Sequence, residues 1–152
     1  MKEHERKFKL KSFPLFLKKE GPGLSIKQGY LFYNQNQYLR VRIIDDSNGT
    51  LCYKEHHLTC TRDEYEYMIP RDHALELYDK AFLTVEKERW TFRTAFLRYD
   101  IDLYTDGTCT LDVENLLGND EQPKLTAFDV DKEISNEPEW TTYAIAMRLK
   151  NS

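Results

Sequence analysis

The sequence predicts an α+β chain built mainly from antiparallel strands, and three observations carry that expectation. Apolar and charged residues alternate with a period of two in stretch after stretch, as in strands with one face buried. Turn signals separate those stretches at hairpin spacing. Helical spacing is confined to a central segment and the C-terminal part. Two architectures suit such strands. One is a single antiparallel sheet with its charged face in water; the other is a closed or nearly closed barrel with a polar lumen and helices packed outside. The barrel requires water, metal or an anionic ligand inside, because an unpaired buried charge is too costly.

The first strand is expected over Lys2–Lys11, ended by Ser12-Phe13-Pro14. Glu3, Glu5 and Lys7 share one face; His4, Arg6, Phe8 and Leu10 share the other. Gly21-Pro22-Gly23 is a turn signal, and Leu24–Leu31 reads as extended. After the polar turn Asn34–Gln37, Leu39, Val41 and Ile43 alternate strictly with Arg40 and Arg42. Asp45–Gly49 is a hairpin turn, Thr50–Glu55 returns with Lys54, and a second hairpin passes through His56-His57. Arg62, Glu64 and Glu66 then alternate with Asp63, Tyr65 and Tyr67, whose aromatic side is expected to be core.

Pro70 closes that strand, and Asp72–Phe82 carries apolar residues at helical spacing with Asp72 as the expected N-cap. Leu83–Phe92 is extended and presents Lys87 and Arg89. Phe96–Tyr104 sets Arg98, Asp100 and Asp102 opposite Tyr99, Ile101 and Leu103. Asp106-Gly107 is a favoured hairpin turn. Thr108–Leu116 returns with Asp112 and Glu114 opposite Leu111 and Val113. Gly118-Asn119-Asp120 is a turn, Lys124–Phe128 a short helix after Pro123, and Glu139–Leu149 a terminal helix. No linker or repeat divides the chain, so residues 1–152 are expected to form one domain.

Composition narrows the function classes. Charged residues make up 32% of the 152 residues, yet the net charge is -4, which argues against a nucleic-acid partner. No apolar run approaches the roughly 20 residues of a membrane span, and with charge from the second residue on and no apolar signal region, neither export nor membrane targeting is expected. Cys52, Cys60 and Cys109 are odd in number and form no CxxC pair, so reduced thiols and a cytoplasmic location are expected.

The charged strand faces supply two kinds of group. Lys7, Arg40, Arg42, Lys54, Arg62, Lys87 and Arg89 are candidate phosphate-binding cations. Glu3, Glu5, Glu64, Glu66, Asp102, Asp112 and Glu114 are candidate metal-binding carboxylates. Cations alone suit an anion receptor and carboxylates alone suit a metal site. Both together suit a metal–polyphosphate complex, because Arg and Lys neutralise phosphate oxygens while Mg²⁺ or Mn²⁺ takes oxygen ligands and bridges to phosphate. Alternating charge on an exposed sheet face remains the plain alternative.

Glu3-His4-Glu5-Arg6-Lys7 resembles the ExExK signature of the CYTH family, also called triphosphate tunnel metalloenzymes. Further blocks follow in family order. Ile26–Leu31 resembles the second block, Arg40-Val41-Arg42 the RxR strand, and Lys54 falls at a family lysine. Arg62–Tyr67 resembles R-x-E-x-E-Y, and Val85–Trp90 the K-x-R-aromatic strand. Asp100-Ile101-Asp102 resembles the strand with the family aspartate, Leu111–Glu114 the ExE strand, and Glu133–Trp140 the C-terminal EVT-x-D-x-x-Y segment.

The resemblance implies an eight-stranded antiparallel barrel forming a tunnel, with helices outside. It implies phosphate binding by Lys7, Arg40, Arg42, Lys54, Lys87 and Arg89, joined by Arg62. Metal and attacking water fall to Glu3, Glu5, Glu64, Glu66, Asp112 and Glu114, with Asp102 orienting the cations or aiding the metal. Lys7, Glu5 and Glu64 are the implied catalytic residues. The activity implied is a Mg²⁺- or Mn²⁺-dependent triphosphatase acting on inorganic tripolyphosphate or on a nucleoside or thiamine triphosphate. A class IV adenylate cyclase is the enzyme alternative within the family, a non-catalytic nucleotide or polyphosphate binder is the alternative of a different functional class, and a homodimer is left open. Some positions depart from the pattern: Asp112 stands for Glu, His4 for an apolar residue, Glu137 for Asp, Glu139 for a basic residue and Trp140 for Tyr.

Overall fold

The computed structural model describes residues 5–56, 62–117 and 121–151. In chain order they form β1 (Glu5–Leu10), a 3-10 helix (Leu15–Glu20), β2 (Leu24–Tyr33), β3 (Gln37–Ile44), β4 (Gly49–His56) and β5 (Arg62–Ile69). Then come α1 (Arg71–Lys80), β6 (Leu83–Arg93), β7 (Leu97–Tyr104), β8 (Cys109–Asn115), β9 (Val130–Glu133), a 3-10 turn (Pro138–Trp140) and α2 (Thr142–Lys150). The antiparallel sheet structure agrees with the sequence. The expected eight-stranded closed or nearly closed barrel does not: among the described residues there are nine strands and the hydrogen-bonded order is open, with β5 and β9 as its end strands.

The residues gather into two compact units. One comprises Ser25–Glu86 and the stretch from Ala146; the other comprises the N-terminal strand through Leu24 and Lys87–Ile145. In the first, β5-β4-β3-β2 lie side by side, and α1 packs on β3 and β4. Val41 and Ile43 meet Ala74 there. A Cβ on Gly49 would collide with the Ala74 methyl, so the start of β4 must be glycine for the helix to approach. Tyr65 and Tyr67 are not core: they are 52% and 63% exposed, because they sit on the outer strand, beyond the strands that α1 covers.

Helix α1 begins after extended Pro70, which provides no side-chain cap, so Asp72 is not the N-cap. It lies in the first turn, where its charge complements the positive helix end. The helix stops at Lys80 rather than Phe82, since Ala81 is already extended at ψ 140.

In the second unit the order is β6-β7-β8-β1-β9. Phe8, Leu10, Tyr99, Ile101, Leu111 and Val113 form one apolar face. Phe92 stacks on Tyr99 at 4.7 Å, and Phe128 closes the stack. That contact explains why the expected helix over Lys124–Phe128 does not form. The Lys124 N–H donates to the Tyr99 hydroxyl at 3.0 Å, and a single turn carries Phe128 onto the rings. The terminal helix begins later than expected: Pro138–Trp140 is a 3-10 turn, and the Thr141 hydroxyl accepts the Ala144 N–H at 3.1 Å to start α2.

Candidate functional site

Strand alternation places the described site candidates of each unit on one sheet face. In the second unit Glu5 pairs across with Glu114 and Lys7 with Asp112 on β8. Asp102 on β7 faces Thr110 on one side and Arg89 on the other. The Asp102 side chain is 3% exposed and the Lys87 side chain 2%, so neither charge is stabilised by water. Lys87 Nζ lies 2.7 Å from Asp102 Oδ2. Arg89 donates from Nε to Oδ1 at 2.7 Å and from Nη2 to Oδ2 at 2.9 Å, a bidentate pair. Burial alone would raise the Asp102 pKa. The Lys87 charge and the Arg89 hydrogen bonds override it and hold the carboxyl well below the usual range. Buried Tyr104, with its ring 5.4 Å from Lys87 Nζ, is pushed up to about 12 by desolvation and by Asp102.

Asp112 has the opposite balance. Its Oδ1 is buried and without a hydrogen-bond partner among the described residues. Desolvation raises its pKa and so does Asp102, while Lys7, Lys87 and Arg89 pull it back without cancelling the rise. Lys7 is seated from the C-terminal side. Its Nζ donates to the Trp140 carbonyl at 2.9 Å, and its backbone N–H donates to Ser135 Oγ at 2.9 Å. On the opposite side of β1, Arg6 grips Glu133 at 2.7 and 3.0 Å, and that hydrogen bonding, with a second from Ser135, pulls Glu133 down to about 2.

In the first unit Tyr30, Arg40, Cys52 and Glu66 form one cross-strand row, with Lys54 and Glu64 paired beside it. Lys54 Nζ is 3.8 Å from Glu64 Oε1. Arg40 Cζ and Lys54 Nζ lie 5.7 and 5.9 Å from the centre of the Tyr38 ring, within cation–π range. Arg40 is buried, yet its Nε has no hydrogen-bond partner among the described residues. Arg42 Nε donates to Gln28 Oε1 at 2.9 Å.

The donor set fits a hard divalent ion. Cys52, Glu64 and Glu66 bring ligand atoms within 4.8 Å of one another. Burial leads in pushing the Cys52 thiol up, so the thiol stays protonated and the two carboxylates would be the donors to an ion there. In the second unit the orphaned Asp112 Oδ1 has the same character. Of the residues expected from sequence, Lys7, Lys87, Arg89, Asp102 and Asp112 share one face of the second unit, with Glu5 and Glu114 more exposed beside them. Arg40, Arg42, Lys54, Glu64 and Glu66 share a face of the first. Glu3 lies outside the described residues, as do His4, His57 and Cys60, and so do the side chains of His56 and Arg62. Sequence reasoning missed Gln28, Tyr38, Ser135 and the Trp140 carbonyl, which carry no charge to mark them. A polar residue at Gln28 between Ile26 and Tyr30, on an otherwise buried strand face, was the one available signal.

These faces belong to a known class of domain. The CYTH domain family model matches residues 1–139, and the chain belongs to that family. The inorganic triphosphatase of Acetivibrio thermocellus is 27% identical over 121 residues, covering 78% of this chain and 77% of the relative. A solved inorganic triphosphatase superposes with a TM-score of 0.66 at 22% identity, over 97% of this chain and 95% of that one. A putative adenylate cyclase from Vibrio parahaemolyticus gives 0.55 at 12% identity, over 78% of each chain. The two structural likenesses speak to fold. No helix among the described residues is long and apolar enough to cross a membrane.

Proposed function

We propose that this chain is a divalent-metal-dependent triphosphatase that releases the terminal phosphate of inorganic tripolyphosphate or a related triphosphate. The observation that carries the reading is the Lys87–Asp102–Arg89 triad beside the unpaired Asp112 oxygen. Cations fixed on a carboxylate scaffold, next to a carboxylate with one oxygen left without a hydrogen-bond partner among the described residues, suit a polyanion together with its counter-ion. The 27% identity to an inorganic triphosphatase supports the same choice.

In this reading Lys7, Arg40, Arg42, Lys54, Arg62, Lys87 and Arg89 hold phosphate oxygens. Asp102 positions Lys87 and Arg89. Glu3, Glu5, Glu64, Glu66, Asp112 and Glu114 hold Mg²⁺ or Mn²⁺, which when bound supplies charge neutralisation at the phosphate oxygens. Lys7 orients a water against the terminal phosphorus, and Glu5 or Glu64 takes its proton. A bond from the water oxygen to phosphorus forms, the bridging P–O bond breaks, and pyrophosphate leaves with the electron pair. Such a reaction depends mainly on positioning and charge stabilisation. The free, buried thiols of Cys52 and Cys109 agree with a reducing, cytoplasmic setting.

The test is product analysis with purified protein, Mg²⁺ or Mn²⁺, and tripolyphosphate or ATP offered separately. Orthophosphate and pyrophosphate from tripolyphosphate, abolished by EDTA and by Lys7→Ala or Glu5→Gln, is the expected result. Cyclic AMP with pyrophosphate from ATP would replace the reading with a cyclase. Binding without any product would replace it with a receptor.

A further inference from the structure

We infer that Gln28, a neutral residue outside the charged set, is a positioning residue that fixes the Arg42 guanidinium. The inference rests on the reading of Arg42 as a phosphate ligand. Gln28 is 0% exposed, and its amide is satisfied on two sides. Oε1 accepts from Arg42 Nε at 2.9 Å, and Nε2 donates to the Tyr30 hydroxyl at 3.0 Å. A guanidinium has donors only, so the amide oxygen must face Arg42 and the amide nitrogen must face the phenol. Gln28 and Arg42 are direct cross-strand partners, so no flexible lever separates them.

The backbone beneath Gln28 is clamped. A Cβ on Gly29 would stand 2.8 Å from the Ala81 methyl and 3.4 Å from Tyr78, so β2 lies hard against the end of α1. The Phe82 N–H donates to the Tyr30 carbonyl at 3.1 Å on the same stretch. Tyr30 is itself buried and meets Tyr33 and Tyr38 edge-on at 6.1 and 5.8 Å. The phenol is therefore fixed, it fixes the amide, and the amide fixes the plane of the guanidinium through Nε. An arginine held at Nε before the ligand arrives loses less rotamer freedom on binding.

The experiment is a double-mutant cycle with tripolyphosphate and Mg²⁺, using Gln28→Met, Arg42→Ala and the pair. Gln28→Met should lower kcat/KM about 10–100-fold, the range seen when a group that orients a ligand-binding side chain is removed. In the Arg42→Ala background the same change should cost less than about twofold, because the residue it acts through is gone. Equal losses in both backgrounds would mark Gln28 as merely structural and overturn the inference. Tyr30→Phe, which keeps the ring packing, should give a smaller loss in the same direction. The Arg42 Nε–H resonance gives a readout that needs no turnover. It should exchange slowly with water in the wild type and rapidly in Gln28→Met; unchanged protection overturns the inference. A wild type inactive on tripolyphosphate, with that resonance behaving as expected, would sink the triphosphatase reading and leave the Gln28–Arg42 coupling standing.

Discussion

Asp102 on β7 and Asp112 on the adjacent β8 are diagonal neighbours on the same charged face, and their environments push them in opposite directions. Asp102 neutralises buried Lys87 and part-buried Arg89, so Asp102→Asn strands both cations. Breaking a buried pair from one side costs about 3–5 kcal/mol. Because the folded pKa of Asp102 is depressed, its stabilisation is complete above the ordinary carboxylate value and is lost as the pH falls through and below it. The gap between wild type and Asp102→Asn should thus be constant down to about pH 5 and narrow below about pH 4. Asp112 has the reverse sign. Its raised folded pKa means that the ionised form is disfavoured in the fold, and its favourable contribution disappears as the pH rises through that value. In EDTA, Asp112→Asn should be more stable than wild type near pH 7, and the difference should vanish in acid. Urea unfolding of the three proteins across pH checks both arms; parallel curves would mean that neither carboxylate is perturbed.

At the scale of elements, the seat of α1 decides how the first sheet is held. Gly49 and Ala74 are in such close approach that a methyl on Gly49 forces either the helix or β4 to move. Gly49→Ala should lower the unfolding free energy by about 1–3 kcal/mol, the usual cost of overpacking, with the urea midpoint shifted at constant m. Tyr67→Thr, on the uncovered side of β5, should stay within about 0.5 kcal/mol of wild type. An unchanged midpoint for Gly49→Ala would show that the contact is not tight. The same comparison explains what the sequence could reveal. Strands with a period-two pattern, such as Leu39–Ile43 and Leu97–Leu103, were legible because burial on one face imprints alternation. Strand β9 was not, since Val130–Glu133 has no buried position and exists by pairing with β1. Tyr65 and Tyr67 read as core because alternation reports two faces without telling whether anything covers the apolar one.

For the whole molecule, the legible part of the site was its charge and the illegible part was its support. Cations and carboxylates announce themselves at every second position. The Gln28 amide, the Ser135 hydroxyl and the Trp140 carbonyl support them and carry no charge to mark them. A net charge of -4 hides this organisation, because the cations are gathered on particular sheet faces while the total stays acidic. Cations already fixed on those faces give a polyanion ready charge partners, so a polyphosphate should stabilise the native chain by mass action even without metal. At a concentration a hundred times its Kd, a ligand that binds only the folded state adds about 2.7 kcal/mol. For a chain of this size that corresponds to a rise in Tm of about 5–11 °C. Calorimetry in EDTA, where turnover is blocked if the reaction needs metal, should show that rise with tripolyphosphate. It should show a clearly smaller one with sulfate at equal ionic strength, because general screening acts alike with both salts while a row of fixed cations rewards three linked phosphates. Equal shifts with the two anions would reduce the charged faces to ordinary solvated surface and remove the polyanion from the function.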